Sequence, residues 1–217
     1  MERTQSRVTL AIIVLVIFHQ VGAIGLHIDE VKELFTSLVP GNLILSGIIL
    51  GLFHRSWSIS FVILALVIFW AGYLVELVGV KTGIIFGPYQ YDTALGFKVG
   101  GVPPLIGLNW LLLVYSTGII ARKALSNLWL RALMGAGLMV ILDLLIEPMA
   151  VRFDFWTWTG GEIPLQNFVA WFITAAIMQI GFQYFQQDEE IENPIAYPFY
   201  LIQIAFFAVF LLVDKAF

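Results

Sequence analysis

The stretch "LDLLIEPMAVRFDFWTW", residues 142–158, contains the two features that decide how the chain folds. Its first half continues an apolar run that begins near residue 127, and its second half is aromatic and closes with Trp156 and Trp158. A helix needs about 20 apolar residues to cross a bilayer. We therefore interpret residues 127–149 as a membrane span limited by Pro148, and the aromatic segment as the loop that follows it.

The composition of the whole chain also indicates a membrane protein. Of the 217 residues, 60% are hydrophobic and 12% are charged, whereas a soluble domain is roughly half apolar and a quarter charged. We predict an all-α, polytopic membrane protein, with one domain over residues 1–217 and about seven transmembrane helices in one bundle. The predicted spans are residues 8–28, 38–54, 57–80, 103–121, 127–149, 167–186 and 195–213. Residues 29–39 are predicted to form a separate, amphipathic helix at the membrane surface.

Composition excludes several classes of function. The net charge is -4 without a basic cluster, which argues against nucleic acid as a partner. The chain has no cysteine and only three histidines, too few for the histidine-rich di-iron site of a membrane oxygenase. No glycine-rich dinucleotide fingerprint is present, and the last span has no lysine that would carry retinal. We therefore expect neither a metal nor a cofactor.

Two connecting segments, residues 81–104 and 152–164, differ from the other loops in being rich in aromatic residues, glycine and proline. Each follows a helix that ends with an acidic residue, Glu76 or Glu147. With seven spans, both segments lie on the same side of the membrane. Tyrosine and tryptophan are also common at any membrane boundary, so an ordinary interfacial role is an equal alternative for the aromatic residues alone.

Asp143 and Glu147 are the most informative residues, because an acidic residue at the centre of a span costs about 2.5–3.5 kcal/mol on insertion scales. Their spacing of four residues places both on one face of a helix. Two neighbouring carboxylates in a low-dielectric site do not both ionise easily, so one is expected to keep its proton. A carboxylic acid that faces an apolar cavity is suited to act as a general acid on an apolar substrate.

Three further acidic residues accompany this pair: Glu76 near the end of the third span, and Asp92 and Asp154 in the two aromatic segments. We expect all five to converge at one face of the membrane. The alternative is that they pair with basic residues or mark helix ends near water, and for Glu76 this alternative has equal weight.

The segments "VELVGVKTGIIFGPYQYDTALGFKVGGVPPLIGLNW" (75–110) and "LDLLIEPMAVRFDFWTW" (142–158) together resemble a membrane carotenoid-biosynthesis family. This family includes bisanhydrobacterioruberin hydratase and γ-carotene 1′-hydratase, also called 1′-hydroxylase. The resemblance covers about residues 70–171, which we take as the functional core.

The resemblance implies a cofactor-independent hydratase that adds water to the terminal 1′,2′ double bond of an acyclic, lycopene- or γ-carotene-like carotenoid. It also implies a multi-pass protein of a bacterial or archaeal cytoplasmic membrane, in contact with the bilayer and associated with other membrane enzymes of the pathway. We assign catalysis to Asp143, Glu147 and Glu76. The predicted substrate-binding residues are Tyr89, Tyr91, Asp92, Asn109, Trp110, Asp154, Trp156 and Trp158.

Three alternatives remain open at this point. A carotenoid cyclase or isomerase would form the same cation and lose a proton from it instead of capturing water. A prenyltransferase-like enzyme would bind a diphosphate through Mg²⁺, although the second acidic motif that such sites use is missing. The third alternative is a protein that binds or transports carotenoids without chemistry.

Overall fold

The computed structural model describes residues 2–187 and 191–213. The single-domain prediction also included residues 1, 188–190 and 214–217, which lie outside the described residues. The fold consists of helices with two short strands in the connections between them. The helices are α1 (Glu2–Leu26), α2 (Lys32–Leu52), α3 (Ile59–Thr82), α4 (Leu105–Ala124), α5 (Leu128–Arg152), α6 (Leu165–Phe185) and α7 (Ala196–Val213).

Six of these helices, α1 to α6, are long and apolar enough to cross a membrane, judged by length and composition. Helix α7 is apolar but shorter. The prediction of an all-α, polytopic membrane protein is confirmed, and the predicted number of about seven spans is close to the six found among the described residues.

Two predictions about helix ends were wrong, and both concern proline. Of the surface helix predicted at residues 29–39, residues 32–39 form the first part of α2, which continues through Pro40 to Leu52. Likewise α5 continues through Pro148 to Arg152. Proline removes one backbone hydrogen bond and can end a helix. Helices in apolar surroundings tolerate it, because neighbouring helices and local adjustment satisfy the freed carbonyl group.

Helices α4, α5 and α6 form the centre of the bundle, where polar side chains join the helices. Nε2 of Gln179 in α6 donates to the Val114 carbonyl (3.0 Å) and to Oγ1 of Thr117 (2.8 Å) in α4. A Cβ atom at Gly135 of α5 would lie 2.6 Å from the Gln179 side chain, so a larger residue there would require this hydrogen-bonded side chain to move. Small residues and buried amides are the usual means by which helices associate in a membrane.

The two aromatic segments contact each other, which agrees with their predicted location on one side of the membrane. Strand β1 (Tyr89–Tyr91) pairs antiparallel with strand β2 (Trp156–Trp158), and Tyr89 lies opposite Trp158. We call this pair of strands the ribbon. Its side chains alternate, so Tyr89, Tyr91, Trp156 and Trp158 are buried whereas Gln90 and Thr157 are exposed. The sequence analysis did not predict these strands.

Candidate active site

Glu76 is buried, with 2% of its surface exposed, and accepts three hydrogen bonds. Oε2 accepts from the hydroxyl groups of Tyr89 and Tyr91, the latter at 2.9 Å. Oε1 accepts from the indole Nε1 of Trp110 in α4 at 3.0 Å. Gly72, one turn before Glu76, makes this contact possible, because a Cβ atom there would lie 2.5 Å from Trp110.

Glu147 is also buried and accepts three hydrogen bonds. Oε2 accepts from the indole nitrogens of Trp156 (3.0 Å) and Trp158 (2.9 Å), and Oε1 accepts from Nδ2 of Asn167 in α6 (2.8 Å). Three N–H donors around one carboxylate favour its charged form, because hydrogen bonds to an ionised acceptor are the stronger ones.

Asp143 differs from the two glutamates in its hydrogen bonding. It is 1% exposed, and Oδ2 accepts one hydrogen bond, from Nδ2 of Asn167 at 3.2 Å. Its other oxygen, Oδ1, is buried without a partner. Asn167 therefore joins Asp143 and Glu147, and the expectation that these two carboxyl groups project together is met. A buried oxygen without a donor is suited to carry a proton and costly as part of an anion.

The tyrosines of the ribbon remain proton donors. Burial, followed by the nearby charge of Glu76, raises the pKa of Tyr89 well above its ordinary value. The same two causes, in the same order, raise the pKa of Tyr91. Both hydroxyl groups therefore stay protonated at neutral pH and donate to Glu76.

The three carboxyl groups surround a small cavity of about 20 Å³, which we call the acid cavity. This volume is sufficient for one water molecule. Among the residues that the structure describes, no lysine or arginine lines it. The remaining lining residues are mostly aromatic or amide side chains: Phe86, Tyr89, Tyr91, Ile106, Asn109, Ile146, Trp156, Trp158, Asn167 and Trp171.

A second, larger cavity of about 100 Å³ lies among α1, α2, α4, α5 and α7, and its lining is mainly aliphatic and aromatic. We call it the apolar cavity. It adjoins the acid cavity, since Ile106, Asn109, Ile146 and Trp156 line both. Within the described part of the chain, the amide of Asn109 has no hydrogen-bond partner, so it is available to a ligand at this boundary.

Most of the predicted site residues come together. The predicted catalytic residues Glu76, Asp143 and Glu147 line the acid cavity, as do Tyr89, Tyr91, Asn109, Trp156 and Trp158. Trp110 is fully buried behind it and stacks on Trp171, with ring centroids 4.1 Å apart.

Asp92 and Asp154 adjoin the same ribbon but lie outside the acid cavity, so three of the five acidic residues expected at this face line the cavity. The Asp92 carboxylate is partly buried beside the ribbon and accepts a hydrogen bond from Oγ1 of Thr157 on the outer face (2.6 Å). Asp154 is exposed and has a left-handed backbone, with φ of 55°.

Sequence reasoning missed five residues that line the acid cavity: the apolar Phe86, Ile106 and Ile146, and Asn167 and Trp171, which carry N–H groups. Asn167 lies in the first turn of α6, and a buried amide in an apolar span is a signal that could have identified it. No three histidine, aspartate or glutamate side chains in the described ranges are arranged to hold a metal ion.

Comparison with known proteins gives two findings. The profile of a family described as "Carotenoid biosynthesis protein" matches residues 36–216. A bisanhydrobacterioruberin hydratase from Haloarcula japonica is 29% identical over 205 residues, which cover 83% of this chain and 66% of that protein. The chain thus spans slightly less than two thirds of the relative's length. No solved structure matches the chain.

Proposed function

The chain belongs to the carotenoid biosynthesis protein family, and from this membership we propose that it is a hydratase acting on the terminal 1′,2′ double bond of an acyclic carotenoid. One observation carries the proposal: a cavity with three carboxyl groups adjoins an apolar cavity, and the two share four lining residues. A hydrocarbon end group in the apolar cavity would present its double bond to the acidic groups at this boundary. The relative described as a bisanhydrobacterioruberin hydratase supports the reaction type.

Asp143 is the proposed proton donor. Its Oδ1 has no partner in the described structure, whereas Glu76 and Glu147 each accept three hydrogen bonds. The glutamates are therefore the better anions and Asp143 the better acid. In the first step, the π electrons of the double bond take the Asp143 proton, and the new C–H bond forms at C2′. The positive charge remains at C1′, a tertiary carbon.

Water completes the reaction. A water molecule in the acid cavity attacks C1′ with a lone pair, and Glu147 or Glu76 takes the proton that the water loses. The carboxylates next return a proton to Asp143, so the net change is the addition of H and OH. Because neither O₂ nor hydride takes part, this chemistry needs no redox cofactor.

Aromatic rings provide the stabilisation of the cation. A cation over the face of tryptophan or tyrosine gains about 0.5–2 kcal/mol. Trp156 lines both cavities, and its indole N–H is bound to Glu147. Tyr91 packs against it at 5.8 Å between ring centroids. These rings are fixed by their hydrogen bonds, so they do not need to reorganise when charge develops.

The same geometry bears on the alternative functions. The acid cavity has room for a water molecule beside the proton donor, which favours hydration over loss of a proton from the cation. Its lining contains no lysine or arginine among the described residues, which disfavours a diphosphate substrate.

The test is an incubation of purified protein with an acyclic carotene in ¹⁸O-labelled water, under anaerobic conditions and with a chelator. We expect an alcohol that carries one labelled oxygen, as seen by mass spectrometry. A cyclised or isomerised product would favour the cyclase or isomerase, and unchanged but bound carotene would favour a binding protein. Product that forms only in air, with oxygen from O₂, would contradict the hydratase.

A further inference from the structure

The boundary between the acid cavity and the apolar cavity has one free polar side chain among the described residues. Four residues line both cavities: Ile106, Asn109, Ile146 and Trp156. The two isoleucines have no polar side-chain atoms, and the indole N–H of Trp156 donates to Glu147 at 3.0 Å. Within the described part of the chain, the Asn109 amide is therefore the polar group at this boundary that no other side chain occupies.

Most other N–H and O–H groups in the lining of the acid cavity already donate to its carboxyl groups. These donors belong to Tyr89, Tyr91, Trp156, Trp158 and Asn167. The indole N–H of Trp171 has no such bond in the described structure, but Trp171 lines only the acid cavity and its indole can only donate. The Asn109 amide differs in that it both donates and accepts hydrogen bonds.

Asn109 is held on a firmly packed part of α4. The next residue, Trp110, donates to Glu76 at 3.0 Å. A Cβ atom at Gly107 would lie 2.6 Å from the Phe69 carbonyl oxygen, so α3 and α4 are in close contact here. An asparagine in a membrane span usually bonds to a neighbouring helix. Asn109 makes no such bond in the described structure, so a rigid helix presents its amide to whatever occupies the boundary.

The water molecule of the proposed reaction needs a polar partner at this boundary. To attack C1′, the water must direct a lone pair towards the apolar cavity, and its two hydrogens then need acceptors elsewhere. The carboxyl groups line the acid cavity but not the apolar cavity. Oε1 of Glu147 accepts one hydrogen bond in the described structure, from Asn167, so it can accept a second from the water. Oδ1 of Asn109 can accept the other hydrogen and hold the water at the boundary.

We propose that Asn109 positions the water molecule that captures the cation, and thereby determines that the cation becomes an alcohol and not an alkene. The proposal rests on the hydratase function and adds a positioning residue to it. The water donates one hydrogen bond to Asn109 and one to Glu147. Its lone pair forms the C–O bond at C1′, and Glu147 takes the proton that the water loses. Asn109 neither gains nor loses a proton.

The fate of the cation without this water is loss of a proton. If the proton leaves C2′, its C–H electrons restore the original double bond. If the proton leaves a methyl group on C1′, the product is an isomer with a terminal methylene group. In both cases a carboxylate takes the proton. In D₂O the Asp143 carboxyl group carries deuterium, so both alkenes acquire deuterium from the first step.

The experiment measures alcohol and deuterium-labelled alkene together. Purified protein in detergent is incubated with an acyclic carotene in D₂O, and mass spectrometry determines the rate at which each product forms. Asn109→Leu removes the amide at similar size. Asn109→Ser is smaller than the native residue and keeps one hydroxyl group. Gln20→Leu is the matched control, because it replaces an exposed amide in α1.

We expect Asn109→Leu to form the alcohol about 10- to 100-fold more slowly, the effect of a misplaced reactant. Labelled alkene should form at least as fast as in the native protein, because Asp143 and the aromatic rings are unchanged. Asn109→Ser should give a ratio of alcohol to labelled alkene between those of the native protein and Asn109→Leu, since its shorter side chain holds the water further from C1′. Gln20→Leu should keep the native ratio.

Two results would overturn the role of Asn109 alone. They are an alcohol rate that Asn109→Leu leaves unchanged, and an equal decrease of alcohol and labelled alkene, which a general loss of packing would cause. If Asn109→Leu does not fold, the native ratio in Asn109→Ser would also overturn it. In each case the native protein still forms the alcohol, so the hydratase stands. If the native protein forms labelled alkene but no alcohol, the hydratase is wrong and the role of Asn109 is wrong with it.

Discussion

Tyr89 and Trp158 face each other across the ribbon, and each donates a hydrogen bond to a different buried carboxylate. Their rings pack with centroids 5.0 Å apart. The Tyr89 hydroxyl donates to Glu76, and the Trp158 indole donates to Glu147 at 2.9 Å. One cross-strand pair therefore fixes two acidic side chains that come from two helices, so the positions of the acids depend on the ribbon.

The first prediction concerns the indole N–H of Trp158. Trp158→Phe keeps an aromatic ring and removes one of three donors to Glu147. A hydrogen bond to a charged group contributes about 1.5–3 kcal/mol, so we expect turnover to fall by about 10- to 100-fold. Trp129→Phe is the control, because Trp129 is exposed on α5. Equal rates in the two variants would show that Trp158 only fills space.

The second prediction concerns two glycines that lie next to the strands of the ribbon. Gly87 and Gly160 both have left-handed backbones, with φ of 104° and 98°. A Cβ atom at Gly87 would lie 2.8 Å from Pro164 and 3.5 Å from the Trp158 ring, whereas one at Gly160 would meet nothing within 4 Å. Both alanine substitutions introduce backbone strain of about 1–2 kcal/mol, because both positions have a left-handed backbone. Gly87→Ala should therefore lower both the melting temperature and the activity more than Gly160→Ala, and equal losses would contradict this account.

Most of the helical fold and the acidic residues that we propose as catalytic could be predicted from sequence, because they depend on local pattern. Apolar runs of sufficient length define membrane spans, and a spacing of four places Asp143 and Glu147 on one helix face. The ribbon could not be predicted, because each strand has only three residues and pairs with a segment 65 to 69 positions away: Tyr91 with Trp156 and Tyr89 with Trp158. Such short strands form only where the surrounding helices bring them together.

The prediction for Asp92 shows why a cluster in sequence is not a cluster in space. In "YQYD", side chains alternate between the two faces of an extended strand. Tyr89 and Tyr91 face inward, so the outer face receives Gln90 and then Asp92, which bonds to Thr157. Treating the four residues as one group ignored this period of two. Asn167 was missed for a different reason, since its role depends on how α6 packs against α5.

The third prediction concerns pH and a site outside the spans. His54, between α2 and α3, accepts from the Tyr115 hydroxyl (2.7 Å) and donates to the Ser56 carbonyl (2.9 Å). Burial lowers the pKa of His54, although the Ser56 carbonyl opposes this. The unfolded chain therefore binds a proton at His54 more readily than the folded protein does. The contribution of neutral His54 to the free energy of unfolding is complete above about pH 6.5, and it is lost as the pH falls below that value.

We expect the melting temperature in detergent to decrease between pH 7.5 and pH 5, and His54→Gln to make this decrease shallower. The reason is that glutamine retains a donor and an acceptor but does not titrate. If the melting temperatures of the two proteins decrease equally with pH, groups other than His54 cause the pH dependence.

The fourth prediction compares the two glutamates. In Glu76→Gln, the tyrosine hydroxyl groups can rotate and accept from the new amide, whereas the indole donors around Glu147 cannot accept. Glu147→Gln should therefore reduce the rate by at least ~100-fold, the low end of general acid–base catalysis. Glu76→Gln should also reduce the rate, but by a smaller factor than Glu147→Gln. The control is Glu162→Gln, an exposed residue of the second aromatic segment. A larger loss for Glu76→Gln than for Glu147→Gln would reverse the proposed roles.

The last prediction concerns the proton donor. Asp143→Asn keeps the shape of the side chain and removes its transferable proton, and we expect product formation to fall by at least ~100-fold. The variant should still fold, because asparagine can accept from Asn167 and its amide meets no donor at the position of Oδ1, which is unpaired in the native protein. The melting temperature should stay close to that of the native protein, because a neutral amide replaces a carboxyl group that we propose is protonated.

Asp154→Asn is the matched control for this variant. Asp154 is exposed, and asparagine tolerates its left-handed backbone as well as aspartate does. The hydration rate of an acyclic carotene should be near normal in Asp154→Asn and close to zero in Asp143→Asn. Thermal unfolding curves should show that both variants are folded. Binding of the carotene should persist in Asp143→Asn, since its loss affects the proton and not the apolar cavity. Near-full activity in Asp143→Asn would show that a glutamate, and not Asp143, protonates the substrate.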